Sequence, residues 1–403
     1  MKKVEDILKA GLCLGCGLCE AVVGKEKCNM TISKEGFYRP QFKTALTESE
    51  NNTILQVCPG ISVMGNNLPS VSSNSDTKVW GGVLDVTESW SLDDKLRKKS
   101  ATGGVISALA IHLLDSKKVD AILQVGVVEE SWLYNGLLIS RTKEEVFKNA
   151  QSRYAPALVF DRIIEILESS NDIFGFIGKP CDIAGIKNFV KIYPKYENRI
   201  KYTLAIFCAG IPSYEATKQL VNSKNKIEDP NFLKYRGDGW PGDFEAKWAD
   251  GDSIKASYND SWGKVLGKTL GLRCKICPDG IGLLADISTG DSWNTKDGYP
   301  DFTEADGRNF CFIRTENGKE LYQDAVAAGA ISNEKIDVST LKNIHTYQYN
   351  RRILSAWRIS AMYLITGGLI KFNNLGLLNI MFKKSLKSGV KEFLGTLKRI
   401  ELK

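Results

Sequence analysis

Residues 172–178 read Asp172-Ile173-Phe174-Gly175-Phe176-Ile177-Gly178, a short apolar run punctuated by glycine. Its length and composition predict a buried strand. Residues 182–190 follow with helical spacing. Residues 201–207 (Lys201-Tyr202-Thr203-Leu204-Ala205-Ile206-Phe207) predict the next strand, and residues 214–221 the next helix. Upstream, residues 120–128 read as a buried strand and 160–168 as a helix. Strand and helix in alternation argue for an α/β core, with α+β additions. Residues 230–260 are rich in Trp, Gly and Asp, with short alternating runs such as 243–249, and predict an antiparallel insertion. No repeat with a period of about 20–50 residues is visible.

The chain has 403 residues, which at about 150 residues per domain suggests two or three domains. With 43% hydrophobic and 25% charged residues it has the composition of a soluble globular protein, not of a disordered or collagen-like one. No apolar run is long enough to span a membrane. The first residues are charged and lack an apolar h-region, which predicts no secretory signal and a cytoplasmic location. The net charge of +7 is mild. It suits an acidic partner or an anionic cofactor and does not call for nucleic acid. Two histidines exclude a three-histidine zinc site.

Four segments are expected. Residues 1–66 form a small glycine-rich, cysteine-dense domain, and 67–78 are a Ser/Asn/Pro-rich linker. Residues 79–340 form the core, and 341–403 a basic, amphipathic helical tail. The tail reads either as helices packed on the body or as a basic surface for a partner or the inner face of a membrane.

Ten cysteines without a disulfide context point to thiolates held for metal. Cys13-Leu14-Gly15-Cys16-Gly17-Leu18-Cys19 is a C-x2-C-x2-C run, and Cys58-Pro59 supplies a fourth ligand followed by proline. This is the pattern of bacterial ferredoxins, so Cys13, Cys16, Cys19 and Cys58 read as one [4Fe–4S] site. Zinc is the alternative, although paired knuckles suit it better. Cys28 reads as a buried thiol or an alternative ligand. Cys274-Lys275-Ile276-Cys277 is a C-x2-C pair, and Cys181 and Cys208 follow two of the expected strands. Ligands gather at the carboxyl ends of strands in open α/β sheets, so these four could converge on a second site. Single cysteines are also common core residues, which is how Cys311 reads.

The cysteine runs, Ser100-Ala101-Thr102-Gly103-Gly104-Val105, Gly178-Lys179-Pro180-Cys181, Ile206-Phe207-Cys208-Ala209-Gly210 and Cys274 to Asp291 together resemble the coenzyme F420 hydrogenase/dehydrogenase beta-subunit family over about residues 5–330. The resemblance implies a flavin-binding core with a ferredoxin-like N-terminal domain. It also implies a [4Fe–4S] cluster on Cys181, Cys208, Cys274 and Cys277 beside FAD. The N-terminal domain and the tail depart from the hydrogenase subunit itself. They look like the two-cluster reductase branch, which includes plant hydroxymethyl-chlorophyll reductases, and like members found with surface-polysaccharide biosynthesis proteins.

Ser100, Thr102, Gly103, Gly104 and Val105 open a helix whose free N–H groups suit a flavin phosphate. Ser152, Arg153 and Tyr154 offer donors to flavin oxygens. Lys179 could stabilise an anionic flavin or substrate, and Asp291 could accept a hydrogen bond or relay a proton. Lys179, Tyr154 and Asp291 are the expected catalytic residues. Three functions fit these residues. The first is a reductase fed by ferredoxin or a similar low-potential donor, acting on a small or lipid-linked substrate such as a sugar intermediate of surface polysaccharide synthesis. The second is an F420-dependent oxidoreductase. The third is an electron-transfer subunit of a larger complex without a substrate of its own.

Overall fold

The computed structural model describes residues 2–65, 77–129, 131–224 and 226–401. Most of the expected linker, residues 67–76, lies outside the described residues. Thr77–Trp80 form a short 3-10 turn at its end.

The body is a mixed α/β fold built on one nine-stranded sheet. Its order is Glu334–Lys335, Asp85–Ser89, Asn309–Ile313, Ile287–Asp291, Ile200–Ile206, Phe174–Gly178, Ala121–Val127, Asn135–Ser140 and Ala157–Leu158. The four strands from Ile287–Asp291 to Ala121–Val127 run parallel. Asn309–Ile313, Asp85–Ser89 and Glu334–Lys335 extend one side antiparallel, and Asn135–Ser140 turns back on the other.

Strands buried on both faces read as continuous apolar runs, because successive side chains enter opposite cores. Ala121, Leu123, Ala205, Phe310 and Phe312 enter one core, with Phe174, Phe176 and Ile183. Their neighbours Ile122, Leu204, Cys311 and Ile313 enter the other, under the Val105–Asp115 and Glu316–Ala327 helices.

The expected elements are present with small shifts at their ends. Residues 172–178 become Phe174–Gly178, and the helix over 182–190 becomes Pro180–Ile192. Proline fits the first turn of a helix because its missing N–H would have no partner there. Residues 230–260 form a three-stranded antiparallel sheet of Phe232–Lys234, Phe244–Lys247 and Ser253–Ala256.

The N-terminal unit carries helices Val4–Lys9, Leu18–Val23 and Glu48–Val57, a Cys28–Ile32/Tyr38–Phe42 hairpin and strand Ser62–Met64. It does not stand apart from the body. Leu18, Val57 and Val63 enter the same core as Phe174 and Phe176. Ile7, Leu12 and Ile61 pack with Leu272, Ile276, Met362 and Leu369.

The tail joins this unit through a parallel pairing of Lys371–Asn373 with Ser62–Met64. Its long helix, Thr346–Ile365, buries Arg351 and Arg352 in the body. Among the described residues no helix is long and apolar enough to cross a membrane.

Candidate functional site

Cys13, Cys16, Cys19 and Cys58 border one small hollow lined otherwise by Ile7, Leu14, Leu18, Met30 and Ile54. Gly15 and Gly17 sit at φ +71° and +91°, which L side chains rarely adopt. A Cβ at Gly15 would lie 2.6 Å from the Tyr38 carbonyl oxygen, and one at Gly17 would lie 2.7 Å from the Asp161 nitrogen. The glycines therefore let the cysteine loop lie flat against the Tyr38 strand and against Asp161. The Gly15 N–H donates to Cys13 Sγ at 3.4 Å.

Burial raises the Cys16 thiol pKa, and the Cys58 and Cys13 thiols add to the rise. Burial likewise pushes Cys58 up to about 12, with Cys13 adding to it. Thiols so placed keep their protons unless a metal displaces them. Cys28 is buried beside Cys19 and hydrogen-bonds to it, outside the hollow.

Cys181 opens the Pro180–Ile192 helix, directly after the Phe174–Gly178 strand. Cys208 follows the Ile200–Ile206 strand. Cys274 lies on the short Leu272–Lys275 helix, and Cys277 follows it. The structure brings these four together. Burial raises Cys181 and Cys208, the latter to about 12; Cys208 and Cys277 add to the rise at Cys181, and Cys274 and Cys277 to that at Cys208.

Arg351 reaches in from the tail helix. It donates to the Cys208 carbonyl at 2.9 Å, to the Ala209 carbonyl at 3.2 Å and to the Cys274 carbonyl at 2.5 Å. Gln348 Nε2 adds a bond to the Cys208 carbonyl at 3.0 Å. A buried guanidinium beside these sulfurs favours their anionic form. Among the described residues, no three His, Cys, Asp or Glu side chains are placed to share a single metal ion.

The two cysteine groups are neighbours. Arg273, 2% exposed and adjacent to Cys274, donates to the Gly60 carbonyl at 2.6 Å and to the Pro59 carbonyl at 2.8 Å. It thus clasps the loop of Cys58 from the backbone of the second group. The Asp182 carboxylate raises the thiols of both Cys16 and Cys181. Arg273→Met is expected to leave two buried carbonyls without donors, at about 1–3 kcal/mol each. The checks are a lowered melting temperature and iron content, with loss from the Cys58 group.

A cavity of about 480 Å³ opens at the carboxyl ends of the parallel strands. Cys208 and Lys179 form part of its floor. Ser100, Thr102, Gly104, Ser152, Arg153, Tyr154 and Asp291 line it too. Lys179 Nζ donates to Asp182 at 2.7 Å. Burial works to lower the Lys179 ammonium pKa, but the Asp182 carboxylate and the Cys181 and Cys208 thiols outweigh it and hold it above its ordinary value. Lys179 therefore stays a cation between the second cysteine group and the cavity.

Ser100 Oγ is buried without a hydrogen-bond partner. Gly104 caps the Val105–Asp115 helix at φ +79°. The donors at this helix start fit an anionic group, and an orphaned hydroxyl in the wall suits a polar ligand.

Gly103 and Val105 stand behind this wall. A Cβ at Gly103 would lie 2.8 Å from Asn309 Oδ1, and the Val105 N–H faces the same oxygen at 3.4 Å. Gly103→Asp is expected to push Asn309 away from Thr102, which it now bonds at 2.8 Å, and to lower flavin content. Extracted flavin per chain checks it. Arg153 lines the cavity, but its guanidinium is engaged by Asn135 at 2.7 Å, the Leu233 carbonyl at 3.0 Å and the Trp132 carbonyl at 3.4 Å.

Sequence reading passed over the group that holds Asp291. Arg236, 2% exposed, donates to its two oxygens at 2.8 and 3.2 Å, and to Tyr154 Oη at 3.2 Å. Trp240 Nε1 donates to Asp291 Oδ1 at 2.8 Å. The Arg236 guanidinium lies over the Tyr258 and Trp293 rings, and Trp293 stacks on Trp240. His345 Nε2 is 2.7 Å from the Asp291 carbonyl, which can only accept, so that nitrogen carries the proton. The one signal available was the Gly-Trp-rich stretch 235–242.

Two groups of four thiols leading to a cavity at the strand ends, on a mixed α/β sheet, are the parts of an electron-transferring oxidoreductase. The chain belongs to the coenzyme F420 hydrogenase/dehydrogenase beta-subunit family. The model of its N-terminal part matches residues 86–163, and that of its C terminus residues 172–339.

The coenzyme F420 hydrogenase subunit beta of Methanococcus voltae is 29% identical over 253 residues, 61% of this chain and 82% of the relative. The coenzyme F420-dependent sulfite reductase of Methanocaldococcus jannaschii is 22% identical over 350 residues, 83% of this chain and 49% of the relative. A chain of the F420-reducing [NiFe] hydrogenase complex from Methanosarcina barkeri superposes with a TM-score of 0.53 at 20% identity, over 69% of this chain and 93% of that one. By name these relatives are hydrogenases or a reductase, all oxidoreductases.

Proposed function

We propose that the chain is a flavin- and iron–sulfur-dependent oxidoreductase that takes electrons from a ferredoxin-type donor and delivers them to an organic substrate. One observation carries this reading. The eight motif cysteines fall into two adjoining groups of four, and the second opens through Cys208 onto the strand-end cavity.

Cys13, Cys16, Cys19 and Cys58 would hold the outer [4Fe–4S] cluster of a ferredoxin-like unit. Cys181, Cys208, Cys274 and Cys277 would hold the inner one, and the cavity would hold FAD. When bound, these groups supply one-electron transfer through the clusters and hydride transfer at the flavin. Ser100, Thr102 and the helix start at Gly104 bind the phosphate end. Lys179 places a fixed positive charge beside the cavity floor, which favours an anion there. Arg236 and Trp240 hold Asp291 in the wall, both donating to its carboxylate.

Tyr258, Trp262, Trp293 and Phe302 also line the cavity. Aromatic side chains suit a sugar ring, so a sugar intermediate of surface polysaccharide synthesis is the proposed substrate class. They suit a flat deazaflavin equally, and the F420 named in the relatives makes F420 the second reading.

Anaerobic turnover distinguishes the two. With reduced ferredoxin or dithionite as donor, nucleotide sugars are expected to reoxidise the protein. Reoxidation by F420 alone would favour the second reading. Reoxidation by neither, with a partner protein that copurifies stably, would favour a bare electron-transfer subunit.

A further inference from the structure

We propose that the C-terminal segment is a docking surface for an anionic lipid bilayer. The inference stands on the tail alone and does not depend on the redox reading. The Leu386–Glu401 helix carries three distinct stripes.

Gly389, Glu392 and Thr396 face the body. Gly389 abuts the Trp357 ring, Glu392 accepts from Arg358 Nε at 2.8 Å, and Thr396 is fully buried. Leu386, Val390 and Leu394 recur every four residues and so form one row along the helix. This row has no cover, the three being 61%, 42% and 56% exposed. Phe382 and Leu378, 70% and 73% exposed, precede it in the chain. Lys387, Lys391 and Lys398 form the third stripe, next to the apolar row and away from the body, and all three are exposed.

Of the helix's apolar residues, Phe393, Leu397 and Ile400 are partly buried, whereas Leu386, Val390 and Leu394 stay exposed. The uncovered row with a cationic edge is the pattern of a helix that lies in the plane of a membrane interface. The charge settles the occupant. From residue 376 to 401 the acids are Glu392, already held by Arg358, and Glu401 at the helix end, whereas five lysines and Arg399 share the segment. Predominantly positive charge beside apolar side chains complements anionic headgroups over acyl chains.

The test is co-flotation of the full chain with vesicles of phosphatidylcholine alone or with added phosphatidylglycerol. Recovery with the anionic vesicles only, falling as salt is raised, is the expected result. Removing one lysine, as in Lys387→Ala or Lys391→Ala, is expected to weaken binding about fivefold each. Leu386→Ser with Leu394→Ser is expected to abolish it. These side chains are already exposed, so melting temperature and iron content should not change. Equal recovery with neutral vesicles, or none with either, overturns the proposal. So does a concentration-dependent dimer in sedimentation that the same leucine substitutions dissolve, because the row would then be covered by a second copy.

Discussion

Cys208→Ser is expected to remove about four of about eight irons per chain, one cubane of two, and to abolish electron delivery to the cavity. The effect should be confined to that group. The Cys208 backbone is fixed by Arg351 and Gln348 through its carbonyl, so the loop keeps its place when the sulfur is lost. The hollow of Cys13, Cys16, Cys19 and Cys58 contains no residue of this loop. Iron analysis and low-temperature EPR should therefore show one cluster retained. Flavin should remain bound but no longer be reduced by a ferredoxin-type donor. Unchanged iron in both Cys208→Ser and Cys274→Ser would mean that these sulfurs are not ligands.

Asp291→Leu is expected to be the most destabilising single change in the cavity wall. Arg236 is almost wholly buried, and Asp291 is the carboxylate it pairs with. Removing one partner of a buried ion pair leaves an uncompensated charge, at about 3–5 kcal/mol. That is a large part of the roughly 5–15 kcal/mol by which domains are ordinarily stable. Asp291→Asn keeps an acceptor for Trp240 Nε1 and should cost less. It separates a positioning role from a purely structural one, since iron should be retained while flavin affinity falls. A melting temperature for Asp291→Leu equal to that of the parent would show that the pair does not hold the wall.

The central strands were legible because residues buried on both faces leave apolar runs, and Phe174–Gly178 and Ile200–Ile206 are such runs. The cysteines were legible because local spacing carries their chemistry. Cys13 to Cys19 need only a tight loop, and Cys181 and Cys208 announce themselves as strand ends. Most of the proposed flavin residues line the cavity for the same local reason, following a strand or opening a helix.

Long-range partners left no local trace. Arg273 meets Pro59 and Gly60 from more than two hundred positions away, and Arg236 meets Asp291 across the whole antiparallel insertion. Nothing in the spacing marks a buried arginine. Arg153 shows the reverse. Its setting between Ser152 and Tyr154 suggested a ligand, but the Leu233 and Trp132 carbonyls and Asn135 take its donors. The apparent separateness of residues 1–66 came from composition, whereas Leu18, Val57 and Val63 complete the core of the body. One face of the tail's last helix packs on the body and another stays exposed, a division that its amphipathic pattern alone did not assign.

In the proposed enzyme, two four-thiol groups lead to a flavin cavity. Cofactor content after strictly anaerobic purification tests it most directly, as iron, sulfide, zinc and extracted flavin per chain. About eight irons with matching sulfide and one FAD are expected, from two cubanes and one cavity. Zinc with neither sulfide nor flavin would contradict it.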